Sequence, residues 1–249
     1  LAELGTIPAD SVELFKTMVR LGFNVLFSGQ VRAGKTAFMQ VWQRHEDTSL
    51  EGLAVSTDPE TPWHRIMPDA PLMQIVADGK DLEDVTKSLL RGDNDYIILE
   101  EMRDAAAFKL AVDVTSIGTA RSKATIHAGD AHDIPYKMAS AISAKYGGDL
   151  KPLIARIFRS FNYVIELYQL PSDRSRKRLK GISEYRYDPI SATVSIHTIC
   201  RYDETSKRWR WKYDIGEDKK NMGKLQPDEF KKMEEMLKML ESKNPIMEN

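Results

Sequence analysis

At 249 residues the chain is long enough for one large domain or two small ones, and for a sizeable core. Its 42% apolar and 29% charged residues are those of an ordinary globular protein and exclude collagen-like, mucin-like and wholly disordered chains. Lys and Arg number 36 against 37 Asp and Glu, a net charge of −1, so any attraction to nucleic acid or to a membrane surface has to be local.

In chain order, Ser11–Leu21 has helical spacing, and Asn24–Ser28 (NVLFS) predicts a buried strand with a glycine-rich turn directly after it. A helix is expected over Lys35–His45, strands over Leu53–Ser56 and Leu72–Val76, and a helix over Leu82–Leu90 that Gly92 stops. Tyr96–Leu99 (YIIL) reads as a fully apolar strand, Ala105–Val114 as a helix and Lys123–Ile126 as a strand. This alternation is the doubly wound α/β pattern, a mostly parallel sheet flanked by helices. After Asp133 come helices over Pro135–Tyr146 and Leu150–Phe158. Strands over Tyr163–Leu170, Leu179–Tyr187, Thr193–Tyr202 and Arg208–Tyr213 then predict antiparallel hairpins added to the parallel core. Asp228–Leu240 is an amphipathic helix carrying Phe230, Met233, Met236, Leu237 and Leu240. The expected organisation is a core over 1–135 and, over 136–249, the helices, hairpins and terminal helix that complete it.

The single cysteine, Cys200, cannot form an intrachain disulfide, and no Cys/His cluster has zinc-ligand spacing, which favours a reducing, cytosolic compartment. No window of 18 apolar residues occurs, and LAELGTIPADSVELF lacks the regions of a signal peptide. Leu1 in place of Met suggests a fragment of a longer chain.

Gly29-Gln30-Val31-Arg32-Ala33-Gly34-Lys35-Thr36 is a complete G-x-x-x-x-G-K-[ST] phosphate-binding loop between an expected strand and an expected helix beginning Lys35-Thr36-Ala37. That context aims successive backbone N–H groups and a helix N-terminus at a phosphate chain. Lys35 is expected on the β- and γ-phosphates of ATP, and the Thr36 hydroxyl on Mg²⁺. Such a site needs an acid at the end of a neighbouring strand, and YIIL-Glu100-Glu101 supplies two; one is expected to help hold Mg²⁺ or to polarise the attacking water. His127, ending the strand ATI-His127, is placed to sense the γ-phosphate.

These motifs, in this order, resemble the secretion ATPases of type II and type IV secretion systems and type IV pili, with the conjugation and tight-adherence pilus branch nearest. The resemblance covers roughly Ile7 to Ile215. Leu90-Arg91-Gly92-Asp93-Asn94-Asp95-Tyr96-Ile97-Ile98-Leu99-Glu100-Glu101-Met102-Arg103-Asp104 is similar to that family's Walker B stretch, "LR-x-x-PD-x-I-x-x-GE-[IV]-RD", which makes Glu101 the counterpart of its catalytic glutamate. Ile117-Gly118 through Thr125-Ile126-His127-Ala128 resembles its His box, and Thr57-Asp58-Pro59 falls at its acidic box, with Asp58 as the clear acid and Glu60 nearby. The resemblance implies a RecA-like ATPase core, a hexameric ring, and service as a motor of an export or pilus machine at the inner face of the membrane. It also implies an N-terminal domain supplying arginines to the nucleotide, for which Arg103 and Arg121 are the nearest substitutes here. Four departures bear on hydrolysis more than on binding. Arg32 and Ala33 stand for glycine and serine, Thr57 and Thr61 for glutamates, Glu100 for glycine, and Thr119 for the first His-box histidine.

Arg174-Ser175-Arg176-Lys177-Arg178-Leu179-Lys180 reads as a solvated hairpin tip, and the alternation of Arg208, Arg210 and Lys212 with Trp209, Trp211 and Tyr213 as a strand with one packed face. Basic groups among aromatics also suit single-stranded nucleic acid, the less favoured partner. Two alternatives accompany the motor reading: a nucleic-acid-stimulated, helicase-like ATPase, and an assembly subunit that binds nucleotide with little hydrolysis. The apolar stripe of the terminal helix is expected to pack within the chain, and Cys200 within a strand core.

Overall fold

The computed structural model describes residues 1–58, 61–89 and 92–247. A 3-10 turn, Ala9–Ser11, leads into α1 (Val12–Arg20), β1 (Val25–Gly29), α2 (Lys35–Gln43), β2 (Gly52–Ser56), α3 (Trp63–Ile66) and β3 (Leu72–Val76). There follow α4 (Gly79–Leu89), β4 (Tyr96–Met102), α5 (Ala105–Ser116), β5 (Lys123–Ile126), α6 (Asp133–Tyr146) and α7 (Leu150–Ser160). The chain continues through β6 (Tyr163–Leu170), β7 (Asp173–Asp188), β8 (Thr193–Asp203), β9 (Arg208–Trp211), α8 (Glu217–Gly223) and α9 (Pro227–Lys243).

Among the described residues the strands form one sheet in the order β3-β2-β4-β5-β1-β6-β7-β8-β9. The first six are mutually parallel, and β7, β8 and β9 continue the sheet in antiparallel pairs. Period-2 alternation assigns the layers. Val25 and Phe27 of β1, Tyr96 and Ile98 of β4, and Tyr163 and Ile165 of β6 enter one core with α1, α2 and α9. Leu26, Ile97, Leu99 and Val164 enter the other, with α5, α6 and α7. Because both faces are covered, these strands read as continuous apolar runs. Phe15, Phe27, Phe38 and Trp42 interlock in the first core with ring centroids 5.4–6.4 Å apart.

The stripe of α9 packs inward, with Phe230, Met233, Leu237 and Leu240 buried, and Cys200 is buried in β8. Two short helices escape the sequence reading: α3 spans a single turn and α8 is mostly polar, so neither shows a period. The basic run is a correction to the sequence reading. Arg174–Lys180 is not a hairpin tip but the first part of β7, paired with β6, and the turn is Pro171–Ser172. Polar residues that lack an apolar face hide a strand whose ladder a neighbour completes. No described helix is long and apolar enough to cross a membrane.

Candidate functional site

Six parallel strands end at one edge of the sheet, and the loops leaving them bring distant residues together, as ligands of open α/β sheets require. β1 delivers Gly29 with φ +150, where an added Cβ would sit 2.2 Å from the Leu167 carbonyl oxygen of β6. Gly34, with φ +90, caps α2 from the left-handed region. Arg32 also lies there, with φ 62, so the family's usual glycine is replaced where its freedom is used. Gln30, Val31, Arg32 and Ala37 are exposed, Ala33 is fully buried, and Thr36 is half-buried.

Lys35 is folded onto its own loop. Its Nζ donates to Gly29 O at 3.1 Å, Gln30 O at 2.9 Å and His127 Nδ1 at 3.2 Å. An ammonium only donates, so Nδ1 accepts and His127 carries its proton on Nε2. That Nε2–H points to Glu101 Oε1 at 2.6 Å, giving a continuous chain Lys35–His127–Glu101 across the strand ends. Burial pulls the Lys35 pKa down to about 8 against the opposing Glu101 carboxylate. Burial pushes Glu101 up, but hydrogen bonds from Arg103 and His127 win and hold it below the ordinary carboxylate value. Lys137 of α6 donates to the His127 carbonyl and fixes that turn.

Glu100 takes different partners. It is buried and accepts from the Trp63 indole N–H and, at 3.4 Å, from Gln74 Nε2, while its carbonyl accepts from the Thr125 hydroxyl. The β4–β5 register shifts between Leu99 and Met102, a bulge that re-aims these two acids. Thr36, Ser56, Thr57, Asp58, Glu100, Glu101 and Arg103 line one small cleft. Ser56, which the sequence did not single out, is buried there, and its hydroxyl has no hydrogen-bond partner among the described residues. Hydroxyl and carboxylate oxygens, one hydroxyl of them unpartnered, suit Mg²⁺, which keeps several of its waters and takes few protein ligands. The described residues hold no group of three or more His, Cys, Asp or Glu that could hold a metal ion.

One expectation meets a different outcome, and others fall outside the described residues. Arg121 does not reach the cleft: it sits beyond the opposite end of β5, bonded to Glu46 Oε1 at 2.5 Å and to the carbonyls of Val19 and Arg20. Pro59 and Glu60 of the acidic box, and Leu90-Arg91 of the Walker B stretch, lie outside the described residues. Thr61 is buried, and its hydroxyl accepts from Gln40 at 3.2 Å.

A family model described as type II/IV secretion system protein matches residues 1–170. An uncharacterised protein of Bacillus anthracis is 22% identical over 182 residues, which span 72% of this chain and 41% of that protein. The VirB11 ATPase of the Brucella suis type IV secretion system, solved in complex with sulphate, superposes with TM-score 0.61 at 17% identity over 74% of this chain and 53% of its own. The Legionella pneumophila ATPase DotB superposes with TM-score 0.52 at 12% identity over 97% of this chain and 57% of its own. The chain thus spans about half the length of these relatives. The likeness is one of fold, a RecA-like sheet with helices on both faces.

Proposed function

Since the chain belongs to the type II/IV secretion system protein family, we propose that it binds and hydrolyses Mg²⁺-ATP at Gly29–Thr36 and is a motor subunit of a type IV secretion, conjugation or pilus-type export machine. The observation that carries the reading is the Lys35–His127–Glu101 chain, which links the phosphate loop to the carboxylate side of the cleft. Lys35 leaves its loop carbonyls for the β- and γ-phosphates. Glu101 takes the proton of the attacking water as its oxygen bonds to the γ-phosphorus and the bond to the bridging oxygen breaks. His127, a donor through Nε2, orients Glu101 and senses whether the γ-phosphate is present. Thr36, with Ser56 and Asp58 in the same cleft, would hold Mg²⁺, which when bound would supply neutralisation of charge on the phosphate oxygens. Glu100, tied to Trp63 and Gln74, supports the cleft. The family setting gives the rest of the proposal: a hexameric ring of identical subunits, cytoplasmic and held peripherally at the inner face of the membrane by other components of the machine.

Titration calorimetry and single-turnover hydrolysis test this. Lys35→Ala is expected to weaken MgATP binding at least about tenfold through loss of a charge-assisted contact. Glu101→Gln should bind ATP normally and lose about 10²–10⁴ in rate, and Glu100→Gln should lose less. Unchanged affinity in Lys35→Ala, or the reverse ranking of the two glutamates, refutes the assignment.

A further inference from the structure

β6 and β5 lie on opposite sides of β1, so the phosphate loop has two flanks. Glu101 and His127 approach from the β5 side. From the β6 side the β6–β7 hairpin folds over the loop, and its contact is a basic side chain. Lys177 Cγ and Cβ lie 3.3 and 3.6 Å from where a Cβ on Gly34, the cap of α2, would be. The stem of Lys177 is therefore seated on the second glycine of the motif. Its Nζ donates to the Arg174 carbonyl at 2.5 Å, an acceptor that Gln169 Nε2 also uses.

Of the neighbouring cations, Arg178 also donates to carbonyls, those of Leu4 and Lys177, whereas Arg176 and Lys180 meet carboxylates. Arg176 lies 3.4 Å from Asp173, and Lys180 lies 3.3 Å from Glu166 and 3.7 Å from Asp130. Lys177 Nζ makes its hydrogen bond to a neutral carbonyl, and the Asp173 carboxylate, which Arg176 also approaches, interacts with its charge, while the stem lies on a loop built to receive anions. A lysine on a flexible four-carbon stem can give up one carbonyl for a phosphate oxygen without moving its backbone.

Resting on the reading of Gly29–Thr36 as a nucleotide site, we infer that Lys177 is a phosphate ligand supplied by the C-terminal hairpin, acting on the part of the phosphate chain shared by ADP and ATP. Its flank faces away from the Glu101–His127 side, so it contributes to binding and leaves the chemical step alone. Uniform binding of this kind changes affinity but not the rate of bound substrate.

The test uses the whole chain. Calorimetry with MgADP and with a non-hydrolysable MgATP analogue compares wild type, Lys177→Met, Lys177→Arg and Arg176→Met, and single-turnover hydrolysis follows saturating ATP. Lys177→Met is expected to weaken both ligands by the same factor, about tenfold or more. Lys177→Arg should retain most of the affinity, Arg176→Met should bind as wild type, and the single-turnover rate should be unchanged throughout. Equal ADP affinity in wild type and Lys177→Met overturns the inference while leaving the nucleotide site standing. A loss confined to the ATP analogue, or a fall in the single-turnover rate, also overturns it by moving Lys177 to the γ-phosphate. Absence of ADP binding by the wild type overturns the site reading and this inference together.

Discussion

In the proposed site Lys35 carries two demands at once: it would have to be charged to hold phosphate, yet its burial in the loop draws its pKa from the ordinary lysine range to about 8. Bound phosphates return negative charge to its surroundings and raise that pKa. Above about pH 8, then, binding has to take up a proton that the free protein has lost. Affinity for ATP should be full below that pH and fall as pH rises through it, approaching tenfold per unit. Calorimetry in two buffers of different ionisation enthalpy reads the proton directly; Lys35→Met should show neither the uptake nor the slope. A wild-type affinity flat from pH 7 to 9.5 would mean that Lys35 stays protonated in the free loop.

β5 carries a polar device at each end. At its carboxyl end His127 meets Glu101 and Lys35; at its amino end the fully buried Lys123 meets Glu46 Oε2 at 2.5 Å, with the ammonium 4.4 Å from the Tyr96 ring centroid. Glu46 also takes Arg121, so one buried carboxylate ties the segment after α2 to the start of β5. Replacing such a pair by apolar groups can be nearly neutral, but removing one partner strands a buried charge. Glu46→Gln is therefore expected to cost about 3 kcal/mol in urea unfolding at neutral pH. Burial already holds the Lys123 pKa near 8, below its unfolded value, so the folded protein sheds this proton first and stability rises with pH in that window. The penalty of Glu46→Gln should accordingly shrink by pH 9, where Lys123 can be neutral. A loss that is the same at pH 6.5 and pH 9 would contradict this.

Across the whole molecule, cation supply to the cleft limits the proposed reaction. Arg103 lines it, and its guanidinium is engaged with Glu101. Transition-state charge on a transferred phosphoryl group needs a well-aimed arginine, whose lack costs about 10³–10⁵ in rate. The 249-residue chain is expected to bind nucleotide well and turn it over slowly, with turnover per molecule rising with protein concentration as a second copy contributes. Light scattering alongside steady-state ATP turnover checks this; fast turnover that is independent of concentration, from a monomer, would show that one copy is sufficient.

The sequence by itself determined the parallel α/β core and the glycine-rich turn after β1 that is proposed to take phosphate, because both are local. Buried strands such as Tyr96–Leu99 declare themselves as apolar runs, and the loop's glycines and lysine act within eight consecutive residues. It also determined that two acids and a histidine leave strands at the loop's edge. Only the tertiary structure decided which partners each of them takes. The bulge in β4 sends Glu100 to Trp63 and Gln74 and Glu101 to His127, and a bulge depends on the partner strand. Tertiary structure likewise moved Arg121 to the far end of β5 and laid Lys177 on Gly34, 143 residues away in sequence. Charged side chains follow no period, and their partners come from pairing between strands remote in the chain. Composition and spacing therefore flagged the basic run without saying that it folds over the loop.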